Sequence, residues 1–255
     1  MTRIIIGAVR AFTVLFLTVF GLAPRLFSVS YDSAAIATKA AEVAKQEKVA
    51  AESVPDTRPT VEHVPLPPQV KAIYMTSCVA GTPNFRQKLL TVMQETEINA
   101  VVVDIKDFSG TISFAPTDPA LLPAWENARC GARDMRELLQ MLHDNKVYVI
   151  GRITVFQDPF YAERHPELAV KRADGVTVWR DGKGLAFIDV AAHDYWDYII
   201  KLSTDSYNLG FDELNFDYVR YPSDGNMVDI SFTHSIASEY KGDKQANLEA
   251  FFRYL

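Results

Sequence analysis

From residue 70 onward, short apolar runs alternate with stretches of helical spacing. "VKAIYMT" (Val70 to Thr76) reads as a strand and "FRQKLLTVMQETE" (Phe85 to Glu97) as a helix. "AVVVDIK" (Ala100 to Lys106) is a second strand. "ARDMRELLQMLHDN" (Ala132 to Asn145) is a second helix, with Met135, Leu138, Leu139 and Leu142 on one face. "VYVIGRITVF" (Val147 to Phe156) is a third strand, and "HDYWDYIIKLSTDSYNLG" (His193 to Gly210) a third helix with Gly210 in the place of a C-terminal cap. "FDELNFDYV" (Phe211 to Val219) is the fourth strand, and "KQANLEAFFRYL" (Lys244 to Leu255) starts a further helix. The runs "TISF", "VTVW" and "AFIDV" read as loop hairpins. Strands separated by helices pair in parallel, because a right-handed crossover needs a helix between them.

Polar residues recur at every second position near the ends of these strands. Asp104 and Lys106 are placed on one face of the second strand, Arg152 and Thr154 on one face of the third, and Glu213, Asn215 and Asp217 on one face of the fourth. The opposite faces carry Val103 and Ile105; Val149, Ile153 and Val155; and Leu214, Phe216 and Tyr218. The expectation is an α/β fold of the (β/α)8 TIM-barrel type, with apolar residues under the helices and reactive groups at the mouth. "TSCVAGTPN" after the first strand is not a Gly-rich phosphate turn, which disfavours a dinucleotide fold. Residues 70–255 supply only about four of eight strand-helix units. The reading is therefore a truncated barrel with an unpaired edge on its fourth strand, open to self-association.

Upstream the composition changes. "AFTVLFLTVFGLA" (Ala11 to Ala23) follows Arg3 and Arg10 without a charge, so residues 1–30 read as a signal peptide or an uncleaved membrane anchor. Residues 31–69 are a linker, first rich in Ala, Lys and Glu and then in Pro. Both readings place the protein outside the cytoplasm, on the membrane face, in the envelope or secreted. There Cys78 and Cys130 either pair as a disulfide or remain two thiols. The net charge of -6, with scattered basic residues, argues against nucleic acid as partner. The five histidines form no H-x-H or H-E-x-x-H pair, so no metal or other cofactor is expected.

"GFDELNFDYVRYPSDG" (Gly210 to Gly225) carries the most specific signal. Together with "VVVDIKDFSGTISF", "VYVIGRITVFQDPFYAERHPELAVK", "WRDGKG" and "FIDV" it resembles the N-terminal two-thirds of the "putative glycosyl hydrolase" domain of bacterial envelope proteins. That family is related to TIM-barrel glycosidases of the alpha-amylase and alpha-galactosidase type. The resemblance implies a glycoside hydrolase acting on an extracellular or envelope polysaccharide and leaves the sugar open.

In the related barrels the nucleophile is an Asp at the end of strand four, a place that Asp217 matches, with Arg152 or Arg220 as counter-charge. The amylases carry an Arg two residues before it; here that residue is Asn215. Asp104 and Lys106 read as ligands of sugar hydroxyls or as an ion pair, and Asp158 as a loop cap or a substrate ligand. Tyr74, Phe156, Trp179 and Tyr221 are platforms for a sugar or packing residues. The related general acid comes from a later strand, and no spacing rule assigns that role to Asp224, Asp229, Glu239 or Asp243. The alternative from another class is a non-catalytic carbohydrate-binding or scaffold protein; a metal-dependent hydrolase ranks third.

Overall fold

The structure, a computed structural model, describes residues 61–255. The signal or anchor segment and most of the expected linker lie outside the described residues. Four strands, β1 (Ala72–Met75), β2 (Ala100–Lys106), β3 (Tyr148–Thr154) and β4 (Glu213–Asp217), pair in parallel in the order β1-β2-β3-β4. Between them run α1 (Ser77–Ala80), α2 (Pro83–Glu95), α3 (Leu122–Glu126), α4 (Met135–Asp144), α5 (Pro159–Arg164) and α6 (His193–Leu209). After β4 come α7 (Thr233–Ala237) and α8 (Lys244–Tyr254). Among the described residues the sheet is open, and β4 pairs on one side only. No described helix is long and apolar enough to cross a membrane. The runs 111–114, 176–179 and 186–190 contribute isolated bridges and no sheet strands.

The apolar periodicity directs the packing. Met135, Leu138, Leu139 and Leu142 of α4 are buried against the sheet, as are Tyr195, Ile199 and Leu202 of α6. Beneath them Val101, Val103, Ile105, Val149 and Ile153 are fully enclosed. Truncating one such side chain to Ala costs about 2–5 kcal/mol. α6 stops at Gly210, whose φ of 125° few side chains tolerate. A Cβ there would also sit 2.7 Å from the Val61 Cβ, so close packing reaches back to residue 61.

The other face of the sheet has two levels. At the N-terminal ends of the strands, Ala100, Tyr148 and Ile150 form a small apolar cluster with Val64 and Val102. Val64 is held there by its N–H, which donates to Asp212 Oδ1 (2.8 Å); His143 Nε2 lies 2.9 Å from Oδ2 of the same carboxylate. At the C-terminal ends the same face turns polar. Asp104 lies opposite Arg152, Arg152 opposite Asn215, and Thr154 opposite Asp217.

One register shift changes the sequence reading. Asp104 pairs with Arg152, but Lys106 pairs with Ile153, so Ile105 is an extra residue in β2. Partners in a ladder point to the same side, which places Lys106 with Ile153 on the helix side, away from Asp104. Its side chain is fully buried, with Nζ 2.9 Å from Asp158 Oδ2 and near the Tyr195 ring of α6. Tyr218 also departs from the expected alternation. Its φ of 54° turns the chain immediately after β4.

Candidate functional site

A cavity of about 700 Å³ opens at the C-terminal ends of the strands, the end where barrel and open α/β sheets place their ligands. Its floor includes Tyr74 of β1, Asp104 of β2 and Arg152 of β3. The walls come from the loops that follow these strands. Asp107 and Phe108 extend β2, Gln157 follows β3, and Tyr218 and Arg220 leave β4.

A hydrogen-bonded chain crosses the floor. The Tyr74 hydroxyl donates to Asp104 Oδ2. Arg152 Nη1 donates to Asp104 Oδ1 (2.8 Å), and its Nε and Nη2 donate to Asp217 Oδ2 (2.9 and 2.7 Å). The Tyr218 N–H donates to the remaining oxygen, Asp217 Oδ1 (2.7 Å). Burial disfavours a charged Arg152, but the hydrogen bonds it donates to Asp104 and Asp217 outweigh it and raise its pKa. Burial and the Asp104 carboxylate push Tyr74 up to about 12, so it remains a neutral donor. The Arg missing at position 215 is thus replaced across the sheet. Asn215 and Arg152 are register partners, and the guanidinium reaches Asp217 from the neighbouring strand.

Asp217 stands at the edge of this arrangement. The cavity wall includes Arg152, to which Asp217 is bound, but not Asp217 itself, and 43% of the Asp217 side chain is open to solvent. Asn215 is exposed on the same face and also lies outside the wall. Tyr218 holds its left-handed backbone between Asp217 and the loop, a strained conformation of the sort that collects at functional sites.

Three residues expected to meet substrate are enclosed instead. Lys106 and Asp158 are wholly buried as an ion pair. Asp158 also caps α5 by accepting from the Tyr161 N–H (2.8 Å), and it accepts from the Tyr195 hydroxyl (2.8 Å). Desolvation lowers the Lys106 pKa despite the opposing pull of Asp158. Trp179 is buried with its Nε1 donating to Asn226 O (3.0 Å), so its ring packs between loops and offers no platform. Phe156 is fully buried, and Tyr221 is buried with its hydroxyl 2.8 Å from Ser235 Oγ. Tyr74 and Arg220 do line the cavity.

Sequence reading missed Asp107, Gln157, Asp181, Lys183 and Tyr218, all of which face the cavity. For Asp107 a local signal existed. It caps the turn "DFSG", accepting from the Ser109 N–H (2.9 Å), as an Asp directly after a strand often does. Asp181 in "RDGKG" acts alike, accepting from the N–H groups of Lys183 (2.9 Å) and Leu185 (2.8 Å). Cys78 and Cys130 are joined by a disulfide, which ties α1 to the segment before α4. Among the described residues, no group of three or more His, Cys, Asp or Glu side chains is placed to hold a metal ion.

Residues 72–254 match the family described as "Putative glycosyl hydrolase domain", and the chain belongs to that family. A hypothetical protein from Ruminiclostridium thermocellum ATCC 27405 is similar at 33% identity and TM-score 0.61, over 71% of this chain and 90% of that one. The alpha-L-fucosidase isoenzyme 2 from Paenibacillus thiaminolyticus shares the fold at TM-score 0.51 and 13% identity, over 73% of this chain and 29% of that enzyme. The GH20 exo beta-N-acetylglucosaminidase from Vibrio harveyi does so at TM-score 0.54 and 12% identity, over 72% of this chain and 33% of the enzyme. No curated protein matches the chain. The family supports a glycosidase-like role, and the two enzymes show the shared fold.

Proposed function

We propose that this protein is an exported glycoside hydrolase of the (β/α)8 type that acts on an extracellular or cell-envelope polysaccharide, with Asp217 as its nucleophile. The observation that carries the reading is the Asp104–Arg152–Asp217 chain, which runs from the floor of a sugar-sized cavity at the C-terminal strand ends to Asp217 at its edge. Glycoside hydrolysis needs one carboxylate to attack or stabilise the anomeric carbon and one carboxylic acid to protonate the leaving oxygen. Asp217 fits the first role by its place at the end of β4 and by a guanidinium that fixes its orientation. Asp107, Asp181 and Asp224 are the further carboxyl groups on the cavity wall from which the second role would be drawn. The Cys78–Cys130 disulfide is a feature of oxidising compartments and supports export.

A second reading, carbohydrate binding without cleavage, draws on a specific observation. Arg152 and the Tyr218 N–H already engage both oxygens of Asp217, which lies beside the cavity wall and not within it. The two readings part on turnover. Reducing-end release from a panel of envelope and extracellular polysaccharides is expected for the native protein, with a fall of at least about 10²-fold in Asp217→Asn. Undiminished turnover by Asp217→Asn would remove Asp217 from the mechanism, and binding with no release by the native protein would favour the second reading.

A further inference from the structure

The charges around the cavity are unequally compensated. Asp104 is held by Arg152 and Tyr74, Asp107 by the Ser109 N–H, and Asp181 by two loop N–H groups. The two cations beyond the floor have no such partner. Arg220 donates from Nη1 to Tyr221 O (3.1 Å) and Ser223 Oγ (2.8 Å), and its guanidinium lies 5.0 Å over the Tyr218 ring. No described carboxylate comes within ion-pair distance of it, nor of Lys183 on the same cavity. Three wall carboxylates lack a cation among the described residues: Asp107 and Asp181, which are turned into their own loops by hydroxyl and N–H donors, and Asp224, which is solvent-exposed.

Gln157 supplies an independent observation. It is only 5% exposed, it lines the cavity, and its side-chain amide makes no hydrogen bond within the described residues. Its amide atoms are not among the enclosed polar atoms that lack a partner, so the amide opens to the cavity, where water or a ligand completes it. An oriented guanidinium, an ammonium and an unfilled amide in one hollow make a receptor for an oxyanion.

We propose that the cavity, through Gln157, Lys183 and Arg220 of its lining, binds a negatively charged substituent of the glycan, so that the substrate is an acidic polysaccharide. The inference rests on the cavity being the glycan site, and it holds whether or not the bound glycan is cleaved. A carboxylate of a uronic-acid unit and a sulfate ester share the required chemistry. The Arg220 fork favours either over a neutral hydroxyl.

The test measures binding of the full chain by titration calorimetry. The probes are polygalacturonate, alginate and hyaluronan, each beside its carboxyl-reduced form, and dextran sulfate beside dextran. Native protein is expected to bind at least one acidic member about tenfold or more tighter than its neutral partner. That ratio should fall by about tenfold in Arg220→Gln and in the surface variant Lys183→Gln, and the slope of affinity against salt should flatten. A preference among the carboxylates assigns the anion to a uronate, and a preference for dextran sulfate alone assigns it to a sulfate. Equal affinity within every pair, binding to no acidic member, or a preference that survives both substitutions would overturn the proposal. Cleavage of neutral glycans alone would sink it while leaving the hydrolase reading intact, whereas tight binding of an acidic glycan without cleavage would do the reverse.

Discussion

Arg152 reaches Asp217 with two nitrogens, Nε at 2.9 Å and Nη2 at 2.7 Å, and both fall on the same carboxylate oxygen. The third nitrogen holds Asp104, so one guanidinium fixes two acids donated by strands on either side of its own. A lysine keeps the charge but cannot hold both. Arg152→Lys is expected to lower kcat by about 10- to 100-fold through misplacement of Asp217. Arg152→Met, which leaves the buried Asp104 without a cation, should also lose about 2–3 kcal/mol in urea melts, less than for a fully enclosed pair. Native-like turnover in Arg152→Lys would mean that Asp217 needs no such positioning.

The Lys106–Asp158 pair makes a separate prediction, because neither group reaches the cavity. Removing the cation alone leaves Asp158 enclosed with only hydrogen-bond donors. Lys106→Met is therefore expected to cost about 3–5 kcal/mol. Lys106→Met with Asp158→Asn should recover part of that loss. The comparison of urea midpoints checks both. A single variant as stable as the native protein would contradict the buried pair.

Alkaline pH should unfold the protein through its tyrosines. Burial, followed by the neighbouring carboxylates, pushes Tyr74, Tyr148 and Tyr161 up to about 12 and moves Tyr195 and Tyr198 well above the ordinary phenol value. Above pH about 10 the unfolded chain releases phenolic protons that the folded chain retains. The stability from these groups is thus complete below about 10 and is lost as pH rises through the folded values. The lowered Lys106 pKa works in the opposite sense, adding stability with pH until about 10.4, but it is one group against five. Denaturation midpoints should fall steeply between pH about 10 and 12, and the phenolate absorbance should rise together with unfolding. A midpoint constant across that range would refute the assignment.

The disulfide closes a loop of 52 residues between Cys78 and Cys130. Chain-entropy arguments assign such a loop about 4 kcal/mol of stabilisation. Reduction, or Cys78→Ser with Cys130→Ser, is expected to lower the melting temperature markedly. Because Cys78 also lines the cavity, the double variant should weaken glycan binding below its new melting point. Unchanged melting under reducing conditions would show that the bond contributes little.

How far the sequence revealed this arrangement depended on the range of the signal. The helices around Leu139 and Ile199 and the strands around Val103 and Val149 follow from periodicities that a short window contains. The polar face holding Asp104, Arg152 and Asp217 follows from the same alternation. Lys106 departs from it because a bulge depends on how two strands lie against each other, which no single strand encodes. Trp179 departs because its surroundings are built by the Asn226 segment, 47 residues away. Gln157 was hidden for the opposite reason. Nothing near it in sequence distinguishes an amide left open to a cavity from one turned to solvent.

The additional residue in β2 has a consequence for how this mouth could evolve. Inserting one residue after Arg152 in β3 would give Ile105 a partner, restore strict alternation, swing the Lys106 amine into the hollow and strip Asp158 of its counter-ion in a single event. Strand length, as much as residue identity, decides which charges a ligand meets here, so a one-codon insertion at this point would re-tune recognition and weaken the scaffold together.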